Sequence, residues 1–258
     1  TSYESSAILL IKSNDQGANI NSLIWNQAPK ANISNEAGII QSINTKLEAL
    51  KYIDGQISYY ISSRFKTTEC YRNTPFHISI DTSHQQLLNT PINIALTEND
   101  KISIKIDAQE SPIGLVDQIE SRGIKDLKID TVIEPNTWFS TAEMRFKIDS
   151  LKNEKSDNTY FIINSISRQI SFFEYLNLDV DKESSLLQIS LRATTPQKAV
   201  DFLNSLITAY LNLETNKRIN EKTENIGFIN ELLLEVSDTL RLYEQELTRF
   251  QTKHLTLG

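Results

Sequence analysis

Few side chains in this 258-residue chain have the type and spacing that chemistry requires. Its three histidines, His77, His84 and His254, fall at intervals that match no metal-ligand pattern, so no metal is expected. The seven glycines make neither a GxGxxG nor a GxxxxGK motif, which leaves a nucleotide phosphate without a backbone cradle. A GxSxG nucleophile elbow is absent as well. Cys70 is the only cysteine and can form no intrachain disulfide; between Glu69 and Tyr71 it lacks a reactive signature and reads as a buried or inert thiol. Carboxylates are numerous but dispersed, as on solvated faces, and no catalytic pair stands out. Trp25 and Trp138 have aromatic faces on which sugar rings could stack, although the same residues serve as ordinary structural aromatics. The expectation is a chain with no catalytic residue, no metal and no cofactor.

Charge narrows the partners. A formal net charge of -7 and a pI near 5.1 argue against nucleic acid, whose phosphates need a basic face, and against anionic lipid headgroups. The longest wholly apolar run, Ala7 to Ile11, is far below the roughly 18 to 20 residues of a membrane span. No signal peptide is in view.

Hydrophobic period locates the elements. The apolar end of Tyr3–Ile11 predicts a buried strand. From Ser34 or Asn35, either of which could cap, Ile39, Ile40, Ile43, Leu47 and Leu50 predict a helix that ends at Asp54-Gly55. Residues 56 to 81 turn extended. From about 89 to 149 the pattern is all β, with Ile92, Ile94 and Leu96 facing Ile102, Ile104 and Ile106 across a short turn as a hairpin. Leu127–Ile133 and Met144–Ile148 continue it, and Gly114–Ser121 fits a short helix or a strand equally. Tyr160–Ile163 is a strand, then Ile166, Ile170, Phe173 and Leu176 keep helical step, and Leu178–Asp181 and Leu186–Ala193 are two more strands. Thr195-Pro196 is a helix start, with a capping hydroxyl and proline at the first helical position. Ala199, Phe202, Leu203, Leu206, Ile207, Tyr210 and Leu211 form the apolar face that follows.

Beyond a polar stretch, a heptad repeat takes over. Its a and d places are Ile226, Ile229, Leu233, Val236, Leu240, Tyr243, Leu247, Phe250, His254 and Leu257, nine of the ten apolar. A helix from 196 to 258 would be about 95 Å long at 1.5 Å per residue. The flanking places hold Leu232, Thr239, Asn230, Ser237 and Glu244 instead of alternating charges, and Phe228, Leu234 and Leu242 widen the stripe. That pattern favours packing against more than one neighbour over a dedicated two-stranded zipper. No second heptad run of this length lies upstream, so the chain reads as an excised piece whose partner helix is a missing segment or another copy.

Two segments carry a resemblance, Thr67-Thr-Glu-Cys-Tyr-Arg-Asn-Thr-Pro-Phe76 and Thr195-Pro-Gln-Lys-Ala-Val-Asp-Phe-Leu-Asn-Ser-Leu206. With the initial strand after Tyr3, the helix near Asn35-Glu36 and Phe228-Ile229 before the coiled coil in the expected order, nearly the whole chain resembles the extracytoplasmic domain of polysaccharide co-polymerases. This is the Wzz-type chain-length determinant family, especially members fused to a bacterial tyrosine autokinase. Cys70 departs from the resemblance, which more often has an aliphatic residue there. The resemblance implies a periplasmic domain between two transmembrane helices of an inner-membrane protein, with any kinase cytoplasmic and beyond this chain. It also implies a ring-shaped homo-oligomer, an outer-membrane polysaccharide exporter, a polysaccharide polymerase and nascent polysaccharide as partners, and no catalytic residue here.

The expected fold class is α+β: a mixed sheet with packed helices over residues 1–195, a β-rich insertion at about 89–149, and a long C-terminal helix over 196–258 ending in a coiled-coil stalk. Regulation of surface-polysaccharide length and export, without catalysis, is the expected function. A periplasmic adaptor of an efflux or secretion system is the first rival, though no lipoyl-like half-motif flanks the heptads on the N-terminal side. The second is a carbohydrate-active enzyme, which turnover of a polysaccharide by the chain would reveal.

Overall fold

The computed structural model describes residues 2–11, 33–97, 99–119, 121–151, 159–181 and 185–255. In chain order the elements are β1 (Tyr3–Leu10), α1 (Ile33–Gln41), α2 (Ile43–Ala49), a 3₁₀ turn (Leu50–Tyr52), β2 (Ile57–Ser62), β3 (Thr67–Cys70), β4 (Phe76–Ile80), β5 (Gln86–Leu87) and β6 (Ile92–Leu96). Then come β7 (Ile102–Gly114), β8 (Arg122–Ile133), β9 (Trp138–Ser140), β10 (Arg145–Leu151), β11 (Thr159–Ile163), α3 (Ile166–Ser171), β12 (Leu176–Asp181), β13 (Leu186–Ala193) and α4 (Pro196–Leu255). They fall into two compact units, Thr1–Tyr210 and Leu211–Gly258.

The first unit combines α and β structure as expected, but in three sheets instead of one mixed sheet. Their orders are β1-β13-β12, β4-β10-β9, and β3-β2-β11-β6-β7-β5 with β8 on the other edge of β7. Every ladder among the described residues is antiparallel, and one isolated parallel bridge joins Leu88 to Ile163. Parallel neighbours need long crossovers, whereas β2–β3, β6–β7 and β7–β8 are joined by short turns that force antiparallel pairing. The β6–β7 hairpin has the expected register, with Ile94 opposite Ile104 and Leu96 opposite Ile102. The stretch 89–149 does not close on itself: β6 pairs with β11 and β10 with β4, both outside it.

Two apolar clusters hold this unit together. In the β cluster, Tyr59, Phe76, Phe161, Phe146 and Phe139 form a chain of ring contacts with centroids 5.2 to 6.2 Å apart. The other cluster packs Leu187, Ile189 and Leu191 of β13 with Ile40 of α1, Phe173, and Phe202, Leu203, Leu206 and Ala209 of α4. Thr195 caps α4 as its sequence predicts, its hydroxyl accepting from the Lys198 amide at 3.3 Å.

Several expectations need correction. β1 is only half-buried, and on one face: Ala7 and Leu9 pack partly against the cluster while Ile8 and Leu10 are exposed, because a strand alternates its side chains. The first helix is two. Ser42 takes an extended conformation, φ -62° and ψ 152°, and its hydroxyl accepts from the Thr45 amide to start α2 afresh, while Ser34 and Asn35 lie inside α1. Ile43 is consequently exposed. Among the described residues of Gly114–Ser121, none beyond Gly114 is in a helix or strand; the Gln118 amide bonds the Leu115 carbonyl in a turn. α3 ends at Ser171 and Leu176 opens β12, because the apolar step of three from Phe173 to Leu176 is also that of a turn, in which the Leu176 amide bonds the Phe173 carbonyl. Leu211 is exposed, not part of the packed face of α4.

Candidate functional site

The predicted seam lies on α4 within the second unit. Ile226, Ile229, Leu233, Val236, Leu240, Tyr243, Leu247 and Phe250 are all 54% to 66% exposed. Together with Leu232, which is exposed as well, they span about 120° of the helix circumference at 100° per residue; the exposed Phe228 and Leu242 lie up to about 80° beyond that arc, interleaved with Glu235, Thr239 and Glu246. Leu234 sits outside that arc. Outside the arc Arg241 pairs with Asp238 at 3.4 Å, and before the seam begins Arg218 pairs with Glu214 at 2.8 Å. The side chain of His254 and the whole of Leu257 lie outside the described residues.

A second surface belongs to the first unit and was not legible in advance. A groove of about 500 Å³ is lined by Tyr60, Glu69, Phe172, Glu174, Tyr175, Arg192, Thr194 and Lys198, among others. At its base the Lys198 ammonium donates to Glu69 Oε1 at 2.5 Å, and the two side chains are only 7% and 5% exposed. The Thr194 hydroxyl donates to the other oxygen of Glu69. Lys198 also lies 3.9 Å from the Phe172 ring centroid and 5.6 Å from that of Phe202. Burial pushes the Lys198 ammonium below the ordinary lysine value, and the Glu69 charge opposes that shift without cancelling it. Covered by rings and paired, Lys198 fastens β3 to the start of α4 and is not presented as a nucleophile. At the rim, Tyr175 is 69% exposed, beside Glu174 and the Arg192 guanidinium, which is held 2.9 Å from Glu4. An aromatic face next to planar charged groups can stack a ring and hydrogen-bond its hydroxyls.

A further cavity, about 420 Å³, is lined by Tyr71, Arg72, His77 and Asp201 with others. Arg72 sits at φ 61° with its Nε 2.9 Å from Asp201 Oδ2, and burial followed by Asp201 raises the Tyr71 phenol well above the usual range.

The sequence-predicted chemistry stays dispersed. His77 is exposed, His84 turns its Nδ1 toward the Gln85 carbonyl at 2.7 Å, and no metal-competent cluster occurs among the described residues. Cys70 is half-buried at the margin of the β cluster, less enclosed than a core thiol, because β3 is an edge strand. Trp138 is half-exposed and already covered by Arg145 and Lys147, 5.3 and 5.9 Å from its ring. Trp25 lies outside the described residues. No helix among the described residues is long and apolar enough to cross a membrane. No protein-family model matches the chain, and no curated protein matches it either.

Proposed function

We propose that this chain is the non-catalytic, periplasm-facing part of a bacterial inner-membrane polysaccharide co-polymerase of the Wzz type. In this reading copies assemble into a ring that sets the length of a growing surface polysaccharide and passes it to an outer-membrane exporter. The observation that carries the reading is the exposed apolar arc on α4 over residues 226 to 250. The seam itself, about 120° wide, calls for a partner helix, and Phe228, Leu242 and Leu234 outside it offer apolar contacts to a second neighbour, as a closed ring built from one repeated heterologous contact requires. The coiled-coil packing of these residues is part of the proposal. Support also comes from the mixture of helices and sheets in the Thr1–Tyr210 unit, the coarse class expected of such a domain. The Tyr175 groove is the surface of that unit best suited to a sugar ring, and we assign it to contact with the polymer.

The test is genetic. Deleting the gene from its host should change the modal length or the amount of one surface polysaccharide, read from an electrophoretic ladder, and complementation should restore it. An unchanged ladder for every surface polysaccharide of that host would overturn the reading.

A further inference from the structure

The β2–β3 hairpin ends in a feature that neither the apolar arc nor the groove uses. Its tip is Ser62-Ser-Arg-Phe-Lys-Thr-Thr68, and Phe65 at the apex is 92% exposed, more than any other large apolar side chain among the described residues. The tip is well fixed. The Ser63 amide and hydroxyl both donate to the Lys66 carbonyl, at 2.9 and 2.8 Å, and the Ser62 and Thr67 hydroxyls bond across the strands at 3.1 Å. Arg64 and Lys66 flank the ring, both exposed, and the Arg64 guanidinium carbon is 5.8 Å from the Phe65 centroid. Neither cation forms an ion pair among the described residues, and positions 62 to 68 contain no acid.

A lone exposed apolar residue needs no explanation. An apolar apex between two cations, on a braced hairpin edged by small hydroxyl residues, is a different object. It matches the layered chemistry of a bilayer surface, with phosphates at the level of the cations and acyl chains just below. We propose that the Phe65 tip inserts into the interfacial layer of an anionic membrane. Arg64 and Lys66 bind lipid phosphates while the ring enters the acyl boundary, and the hydroxyls of Ser62, Ser63, Thr67 and Thr68 meet headgroup oxygens.

The net charge of -7 opposes such contact only within the reach of the charges. That reach is about 8 Å at physiological ionic strength, so acidic residues farther than this from the surface are screened. The same charge turns the rest of the chain away and leaves the tip as the part able to approach. A protein pocket for Phe65 is the competing occupant. A pocket requires matched walls, whereas the bilayer requires only what the tip contains.

Vesicle flotation of the full chain tests this, using phosphatidylethanolamine with roughly a quarter phosphatidylglycerol, against neutral phosphatidylcholine. Two cations near the surface should favour the anionic vesicles by about 25-fold at low salt, with most of that preference lost at about 0.5 M salt. Phe65→Ser should lower partition by about tenfold, and Arg64→Ala/Lys66→Ala should bring it to the neutral-vesicle level. Phe65→Trp should show a blue shift of emission, relative to the wild-type chain, with anionic vesicles only. Because the apolar arc of α4 could itself meet lipid, the tip variants are repeated in a Leu233→Ser/Leu240→Ser background, where the same losses are expected. Unaltered melting of Phe65→Ser checks its fold. Absence of binding, equal binding to both vesicles, or binding that Phe65→Ser leaves intact would each overturn the proposal. None of these outcomes touches the co-polymerase reading, on which the tip does not depend.

Discussion

Replacing Glu69 with Gln strands a charge. In the native unit the Lys198 ammonium is 7% exposed, bonded to Glu69 at 2.5 Å and faced by Phe172 at 3.9 Å. The variant keeps the shape and a hydrogen-bond acceptor but removes the negative charge that offsets desolvation. Breaking one side of such a pair costs about 3 to 5 kcal/mol. For a unit of this size each kcal/mol lowers the melting temperature by about 2 to 4 °C, so Glu69→Gln should melt about 6 to 20 °C lower. Total stability is only about 5 to 15 kcal/mol, so in a marginal case the change removes more than half of it.

The pH dependence separates this cause from lost packing. Burial holds the folded pKa of Lys198 below its unfolded value of 10.5, so between the two the unfolded chain binds more protons and stability rises with pH. Without Glu69 that pKa falls further, and the defect of the variant should shrink as pH rises toward 10.5 and its ammonium sheds its proton before that of the wild type does. The double variant Glu69→Leu/Lys198→Met, which removes both charges, should recover to within roughly 1 kcal/mol of wild type or exceed it. Thermal and urea melts at several pH values read all three proteins. If Glu69→Gln melts within about 2 °C of wild type, or if the double variant is as weak as the single, the pair is not the fastening described.

Four further outcomes are expected. Leu206→Asp or Phe202→Asp should unfold the Thr1–Tyr210 unit, because both positions are fully enclosed against β13 and an unpaired buried charge costs several kcal/mol; loss of far-ultraviolet ellipticity or of a cooperative melt checks it. Burial raises the Tyr59 phenol from 10.0 to about 12, so its contribution, about 3 kcal/mol, is present below pH 10 and lost as pH rises toward 12. Tyr59→Phe should flatten that alkaline loss in urea titrations, while costing about 1 kcal/mol near neutral pH through the Ile78 amide that its hydroxyl accepts. Leu233→Lys/Leu240→Lys should abolish any self-association seen by sedimentation and leave the melt of the first unit unchanged. Tyr175→Ala should weaken saturation-transfer signals from a neutral oligosaccharide by severalfold without shifting the melt, its ring being 69% exposed.

Local signals in the sequence located most elements because backbone preference and side-chain period agreed there. Ile94 facing Ile104 and the Thr195-Pro196 start are such places, each settled by residues close in the chain. The misreadings arose where two local preferences competed. At Ser42 the apolar step of three and four continues unbroken from Ile39 to Leu47, yet a hydroxyl able to accept from Thr45 offers the backbone a cap, and the cap prevailed. At Phe173–Leu176 a helical step coincided with the turn that begins β12. Sheet pairing was beyond reach for a different reason. The partner of β1 is β13, with Tyr3 opposite Ala193, and nothing in either strand names the other.

The same distinction explains which surfaces could be anticipated. The arc on α4 is a property of one continuous segment, so its spacing announced it. The groove is assembled from β3, the turn after α3, the end of β13 and the first turn of α4, and its central bond joins residues 129 apart. Glu69 looked like one dispersed carboxylate among many and Lys198 like a solvated lysine in a first helical turn, where a positive charge opposes the helix dipole. That unfavourable placement was the one available clue: a lysine at the N-terminal end of a helix is at odds with local electrostatics unless an acid from elsewhere reaches it. Phe65 offered a similar clue, an aromatic between two cations where a polar hairpin tip is the norm. In both places the residue at odds with its local setting marks a contact made outside its own segment, within the fold for Lys198 and, as proposed, with a membrane for Phe65.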